Sequence, residues 1–164
     1  MNETYSKLAA FGRELLTKTS LTDGLPMIAK YTKEIIGAER CSVFIYDSER
    51  EELWTTLADG INTIVIPTDT GIVGHTLQIK EPVIVQDTET EPLFLSDIDE
   101  RSGYKTKNIV TAPIFNSERE IIGVLELLNK ESGFTADDVK FMIFFAHYIS
   151  GFIELATLYS GDSH

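Results

Sequence analysis

Cysteine is almost absent from this chain. A single residue, Cys41, allows no internal disulfide. Histidine is equally sparse: three scattered residues give no Cys/His zinc spacing and no HExxH, and no phosphate-cradling P-loop is present, so a metal centre or a nucleotide triphosphatase is not expected. Basic residues are outnumbered, 14 against 26 acidic, and the net charge of −12 repels phosphate backbones and anionic lipid. Nucleic acid and membrane partners are therefore disfavoured. No uninterrupted apolar run approaches the roughly 20 residues that cross a bilayer, and no apolar segment with a cleavage site precedes the first helical pattern. The expectation is a cytoplasmic protein. With 164 residues, 43% of them hydrophobic, residues 1–164 suffice for one domain with a proper core.

The apolar spacing then orders the elements. Leu8, Phe11, Leu15 and Leu16 recur at helical intervals between Thr4 and Thr19, and Ile28, Ile35 and Ile36 mark a second helix that Asp23 can cap and Gly37 can close, so the N-terminal helices span 4–36. Pro26 inside that helix is expected in its first turn. From Arg40 the period becomes two: Cys41, Val43 and Ile45 face one way, Ser42, Phe44 and Tyr46 the other, which is the pattern of a central strand. LWTTL returns as its hairpin partner, TIVIP follows Asp59-Gly60, and Gly71 opens a short helix, GIVGHTLQ. VIVQD is a further strand, and NIVTAPIF with IIGVLELLN makes a hairpin around the turn NSERE. Pro113 within that hairpin cannot donate to a ladder and needs an edge or a bulge. The sheet and pocket thus occupy 40–129.

The last helix spans 135–160. Thr135 and Asp138 have capping-box spacing, with aspartate standing in for glutamate. It bears two apolar stripes: Val139, Met142, Ala146, Ile149, Ile153 and Ala156, then Phe141, Phe145, Tyr148, Phe152, Leu155 and Tyr159. One stripe suffices to cover a sheet, so the second needs another helix, either the first helix of this chain or that of a second subunit. Helices at both ends around a hairpin-connected sheet give the α+β class.

Between Thr88 and Lys107 lies a polar segment too long for a mere connector in a compact domain, and such loops usually bind or cover a ligand. The N-terminus of GIVGHT offers unpaired amides and a partial positive charge, so an anion can be held without arginine. Hydroxyls at Ser102 and Thr106 and carboxylates at Asp99 and Glu126 supply donors and acceptors, with no nucleophile and base pair among them. Each also has an ordinary structural explanation. Gly71 and Gly74 can simply terminate turns, the hydroxyls can face water, His75 and His147 can pack, and Cys41 can fill the interior.

GIVGHT, VIVQD, GVLELLNK and the closing FTADDVKF, in this order, resemble a GAF domain, a GAF/PAS-like fold, over nearly the whole chain. RCSVFIYD, the stretch PLFLSDIDERSGYKTKNIV and LNK followed by FTADD look more narrowly like the GAF domains of cyclic-nucleotide phosphodiesterases and some bacterial adenylyl cyclases. The resemblance implies a central antiparallel sheet of five to six strands, terminal helices on one face forming a homodimer bundle, and a ligand pocket on the other. It implies ligand contacts at Ser42, Asp59, Ile72, Val73, Asp99, Ser102, Thr106 and Glu126, and a brace around the pocket from Asn129, Lys130, Phe134 and Asp138 through a Lys–Asp pair. The family's base-facing aromatics correspond to Ala58 and Leu95, and the last residue of its bracing signature to Val139. The implied function is a non-enzymatic sensor that needs no cofactor. It would bind cAMP or cGMP as a regulatory ligand and relay closure through a helical dimer interface to an effector domain outside this chain. A ligand-free dimerisation and relay domain, or a sensor of another small ligand, is the alternative. GAF-type methionine sulfoxide reductases use several cysteines, and bilin attachment needs one near the loop; Cys41 meets neither need.

Overall fold

The computed structural model describes residues 2–56, 63–92 and 105–159. Helices α1 (Asn2–Leu15) and α2 (Leu21–Ile36) precede strands β1 (Arg40–Asp47), β2 (Glu52–Thr56) and β3 (Thr63–Pro67). Helix α3 (Gly71–Ile79), strand β4 (Val83–Val85) and a 3-10 turn at Thr88–Thr90 come next, and β5 (Ile109–Phe115), β6 (Ile121–Leu128) and α4 (Ala136–Tyr159) complete the described chain. The six strands run in the order β3-β2-β1-β6-β5-β4, every neighbouring pair antiparallel. This is the α+β arrangement expected, with β1 and β6 at its centre.

Alternation along the strands divides the sheet into two faces. Val43, Ile45, Trp54, Val110, Ala112, Ile114, Leu125 and Leu127 point to one side and join α2 and α4 in a continuous apolar core. Phe44, Leu53, Ile109 and Val124 point to the other, where α3 lies. The division of β1 that its period-two pattern predicts is the one found.

Two expectations about α2 need correction. Its N-cap is Ser20, whose Oγ accepts the Asp23 N–H at 3.2 Å, and not Asp23, which lies inside the first turn. Pro26 is consequently the sixth helical residue rather than a first-turn one; the amide it lacks would have bonded the carbonyl of Thr22, an exposed residue. Helix α1 also stops earlier than the apolar spacing suggests. After Leu15 the chain tightens through Thr17 N to Glu14 O and Lys18 N to Leu15 O, leaving Leu16 exposed.

Pro113 has both features that proline in a strand calls for. β4 pairs only with Ile109, Val110 and Thr111, so among the described residues no strand lies beside the outer side of β5 beyond Thr111, and the β5–β6 register shifts between Ile114 and Phe115.

The capping box of α4 forms as the sequence spacing requires: Asp138 N donates to Thr135 Oγ1 at 3.1 Å and Thr135 N donates to Asp138 Oδ2 at 2.8 Å. Met142, Ala146, Ile149, Ile153 and Ala156 are buried as the inner stripe. The second stripe divides. Its first half meets α1 and α2 of the same chain, with the Phe145 ring 5.5 Å from Phe11 and 5.6 Å from Tyr31, and the Phe152 ring fills the notch at Gly24, where a Cβ would collide with it. Its second half is open: Leu155 is 66% and Tyr159 85% exposed. On length and composition alone α4 is apolar enough to cross a bilayer, although Lys140, His147 and Glu154 break its apolar sequence into shorter runs. Its inner stripe is committed to the sheet.

Candidate functional site

Antiparallel register brings three polar side chains into one row on the α3 face. Ser42 of β1 is opposite Glu126 of β6, and Glu126 is opposite Thr111 of β5. Helix α3 closes over the row through Thr76, whose hydroxyl lies 2.6 Å from that of Thr111 and donates to the Ile72 carbonyl at 2.9 Å. On one side of the row Phe44, Leu53, Val73, Leu77 and Val124 pack together; on the other Ile72, Val85 and Ile109 do. The row is a polar seam between two small apolar clusters.

Glu126 is the charged member of that seam. It is partly buried, and among the described residues no hydrogen bond or ion pair reaches its carboxylate. Loss of water pushes its carboxyl up to about 7. Cys41, the neighbour of Ser42 on the opposite face, is held well above the usual thiol range, first by burial and then by the Glu126 charge, with Thr32 and Lys33 opposing. It remains a thiol, in keeping with an interior filler.

The side chains of Ile72 and Val73 are spent on packing, 4% and 5% exposed, so only their backbones can serve a ligand. The amides they begin with are uncapped: Thr70 is extended and makes no side-chain bond to the helix, and no acidic residue stands in the first turn. Gly71 has φ 76°, a left-handed conformation that glycine adopts freely. Gly74 answers to the chain itself rather than to a ligand, because a Cβ there would sit 2.9 Å from the Thr68 carbonyl oxygen.

Thr106 is buried elsewhere, at the approach to β5, with its carbonyl accepting from Thr88 Oγ1 at 2.7 Å. That approach is fastened by Asn129, which adopts φ 61° at the end of β6. Its Oδ1 accepts from Lys107 N at 2.6 Å and Asn108 N at 3.2 Å, while its Nδ2 donates to Lys105 O at 2.8 Å. Asn108 reciprocates, its Oδ1 accepting from Lys130 N at 2.9 Å and its Nδ2 donating to Lys130 O at 3.1 Å. Lys130 Nζ then lies 2.7 Å from Asp138 Oδ2. Burial is the largest influence on Asp138 and raises its pKa, but the Lys130 bond, the Thr135 amide and the Lys130 charge together outweigh it and hold the carboxyl below its usual value. Phe134 is buried in the helix-side core and accepts from Gln86 Nε2 through its carbonyl at 2.8 Å.

Of the nominated ligand residues, the structure therefore joins Ser42, Glu126 and the start of α3, and places Thr106 in the Asn129-fastened approach. Asp59, Asp99 and Ser102 lie outside the described residues. Thr76, Thr111 and Asn108 were not singled out by sequence, although a threonine at 111, in phase with Glu126 across a hairpin, was a readable signal for one of them. A cavity of about 380 Å³ sits at the other end of α3, between Tyr46, Glu51, Thr68, Leu77, Gln78, Lys80 and Ile121, and none of the nominated residues lines it. Among the described residues no three His, Cys, Asp or Glu side chains gather where a metal could sit.

This architecture is that of a GAF domain: the family's model matches residues 20–153, and the chain belongs to that family of regulatory small-molecule-binding modules. More particularly, the chain is similar to the dual 3',5'-cyclic-AMP and -GMP phosphodiesterase 11A of Takifugu rubripes, with 30% identity over 144 residues, which is 78% of this chain and 16% of that protein. The chain thus spans about one sixth of that relative's length. Its fold matches the GAF domain of a phosphoenolpyruvate-protein phosphotransferase from Coxiella burnetii, at TM-score 0.79 and 19% identity over 92% of each chain. It also matches the free methionine-R-sulfoxide reductase of Neisseria meningitidis, at TM-score 0.73 and 18% identity over 92% of this chain and 88% of that one. GAF domains are generally regulatory, yet that neighbour is an enzyme.

Proposed function

We propose that this chain is the cyclic-nucleotide-sensing domain of a cytoplasmic signalling protein, taking cAMP or cGMP on the α3 face. The observation that carries the reading is the uncapped first turn of α3 set over a sheet row whose carboxylate, Glu126, meets no partner among the described residues. The α3 amides would hold the cyclic phosphate, and Glu126 and Ser42 would meet donors on the sugar or base. The similarity to a dual cyclic-AMP and cyclic-GMP phosphodiesterase supports the same ligand class. Thr106, Asp59, Asp99 and Ser102 would complete the site, and Asn129, Lys130, Phe134 and Asp138 would brace it.

The signal would leave through the terminal helices. Tyr5 and Leu16 on or just after α1 and Phe144, Leu155, Leu158 and Tyr159 on α4 are exposed, a pattern that favours a homodimer seam running towards an effector domain. This same observation favours the second reading, a dimerising relay domain that takes no ligand.

A thermal-shift series with cAMP, cGMP and cyclic dinucleotides separates the two. Ligand at 100 times its dissociation constant adds about 2.7 kcal/mol to stability. No shift with any of them at millimolar concentration retires the nucleotide reading.

A further inference from the structure

Ionisation of Glu126 has nothing in the described structure to support it. Its strand neighbours across the row are the hydroxyls of Ser42 and Thr111, and the Thr111 hydroxyl is already engaged with Thr76. The titratable and charged groups of the described elements packed around it are few. On β1 they are Arg40, exposed and two residues before Ser42 on the same face, Tyr46, four residues beyond Ser42 on that face, Asp47 at the strand's end, and the Cys41 thiol on the opposite face. On α3 the candidate is His75, which stands off the buried side formed by Ile72, Val73, Thr76 and Leu77. The described residues of β4 and β5 contribute none. Among the described residues a carboxylate in this place meets no donor for its oxygens.

We infer that ligand binding on the α3 face is coupled to proton release from Glu126, so that this sensor holds its ligand more tightly as the pH rises. The inference rests on the sensing role proposed above. In the empty site the side chain is a neutral acid for part of its molecules at physiological pH, its carboxyl raised by burial to about 7. A ligand that presents an O–H or N–H to this row replaces the missing donor. The acid's O–H bond breaks, its electron pair stays on the carboxylate, the ligand's hydrogen bonds to that carboxylate, and the proton passes to buffer. Ligand chemistry is thereby selected as well: a group offering only acceptors would have to keep the proton in place.

Isothermal titration of the protein with cGMP and with cAMP at pH 7, in phosphate and in Tris, measures the proton directly from the difference in heat. Release of about half a proton per ligand is expected, the fraction of a group with pKa about 7 that is protonated at pH 7. Affinity should weaken towards about tenfold per pH unit below pH 6, the limit for one proton lost on binding. Glu126→Gln should bind more weakly, with no buffer-dependent heat and a flat profile between pH 6 and 8. Equal heats in the two buffers, proton uptake, or an unchanged pH profile in Glu126→Gln would overturn the inference while leaving the nucleotide reading intact. Absence of binding by both nucleotides would overturn the two together. The wild-type measurement needs no variant, so poor folding of Glu126→Gln does not blunt the test.

Discussion

On the helix side of the sheet, strands β1, β5 and β6 offer only apolar side chains to α2 and α4, and buried residues form one unbroken cluster from Phe11 to Ala156. On the α3 side, inward of the exposed Arg40 that starts β1, the same three strands break their apolar pattern at one register position, Ser42, Glu126 and Thr111, and the packing splits into two small clusters. Uniform burial is what stability asks of a sheet face, since each unpaired polar group placed there costs free energy. The polar seam is thus a departure from the rule the other face obeys, and such departures mark the face given over to function.

Substitutions on the two faces should differ accordingly. Phe145→Ala removes a fully buried ring packed on Phe11, Tyr31 and Phe141. It should cost about 3 to 5 kcal/mol in urea unfolding with no direct effect on ligand. Lys130→Ala leaves Asp138 without its cation and should cost about 2 to 3 kcal/mol at pH 7, less at low pH. The sign follows from the lowered Asp138 pKa: the stabilisation is present above the carboxyl's unfolded value and disappears as the pH falls through the folded one.

Glu126→Gln should behave the opposite way. A carboxyl raised from 4.5 to about 7 keeps its proton in the folded state where the unfolded chain has lost it, so the empty protein loses stability as the pH climbs through that window. The amide variant should therefore be more stable than wild type by about 3 kcal/mol at pH 8 and no different at pH 4. Thermal unfolding at the two pH values reads it; equal differences at both would mean the carboxyl is solvated and the seam is ordinary surface. The smallest effect concerns the approach to β5, where Thr106→Ala should weaken nucleotide binding by about fivefold if the hydroxyl bonds the ligand.

Local rules were legible in the sequence where one residue's neighbours decide its role. The two faces of β1, the Thr135–Asp138 box and the glycine that opens α3 all follow from spacing and backbone preference. The N-cap of α2 was misjudged because Ser20 and Asp23 are both good caps three residues apart, and the serine oxygen takes the aspartate's amide. Long-range polar pairings were less visible. Thr76 and Thr111 meet across 35 positions only once α3 folds onto the sheet, and the Asn108–Asn129 exchange depends on where β6 ends. The second stripe of α4 carried an ambiguity that spacing cannot resolve, since half of it buries within the chain and half stays exposed.

Chemical-shift mapping of backbone amides during titration with cGMP and cAMP addresses the central claim most directly. If the α3 face is the sensor site, the amides of Ile72 and Val73 and those around Glu126 and Thr111 move first and furthest, while the core around Phe145 and Ile149 stays still until α4 responds. Shifts confined to the exposed surfaces of α1 and α4, or none at millimolar nucleotide, would contradict it.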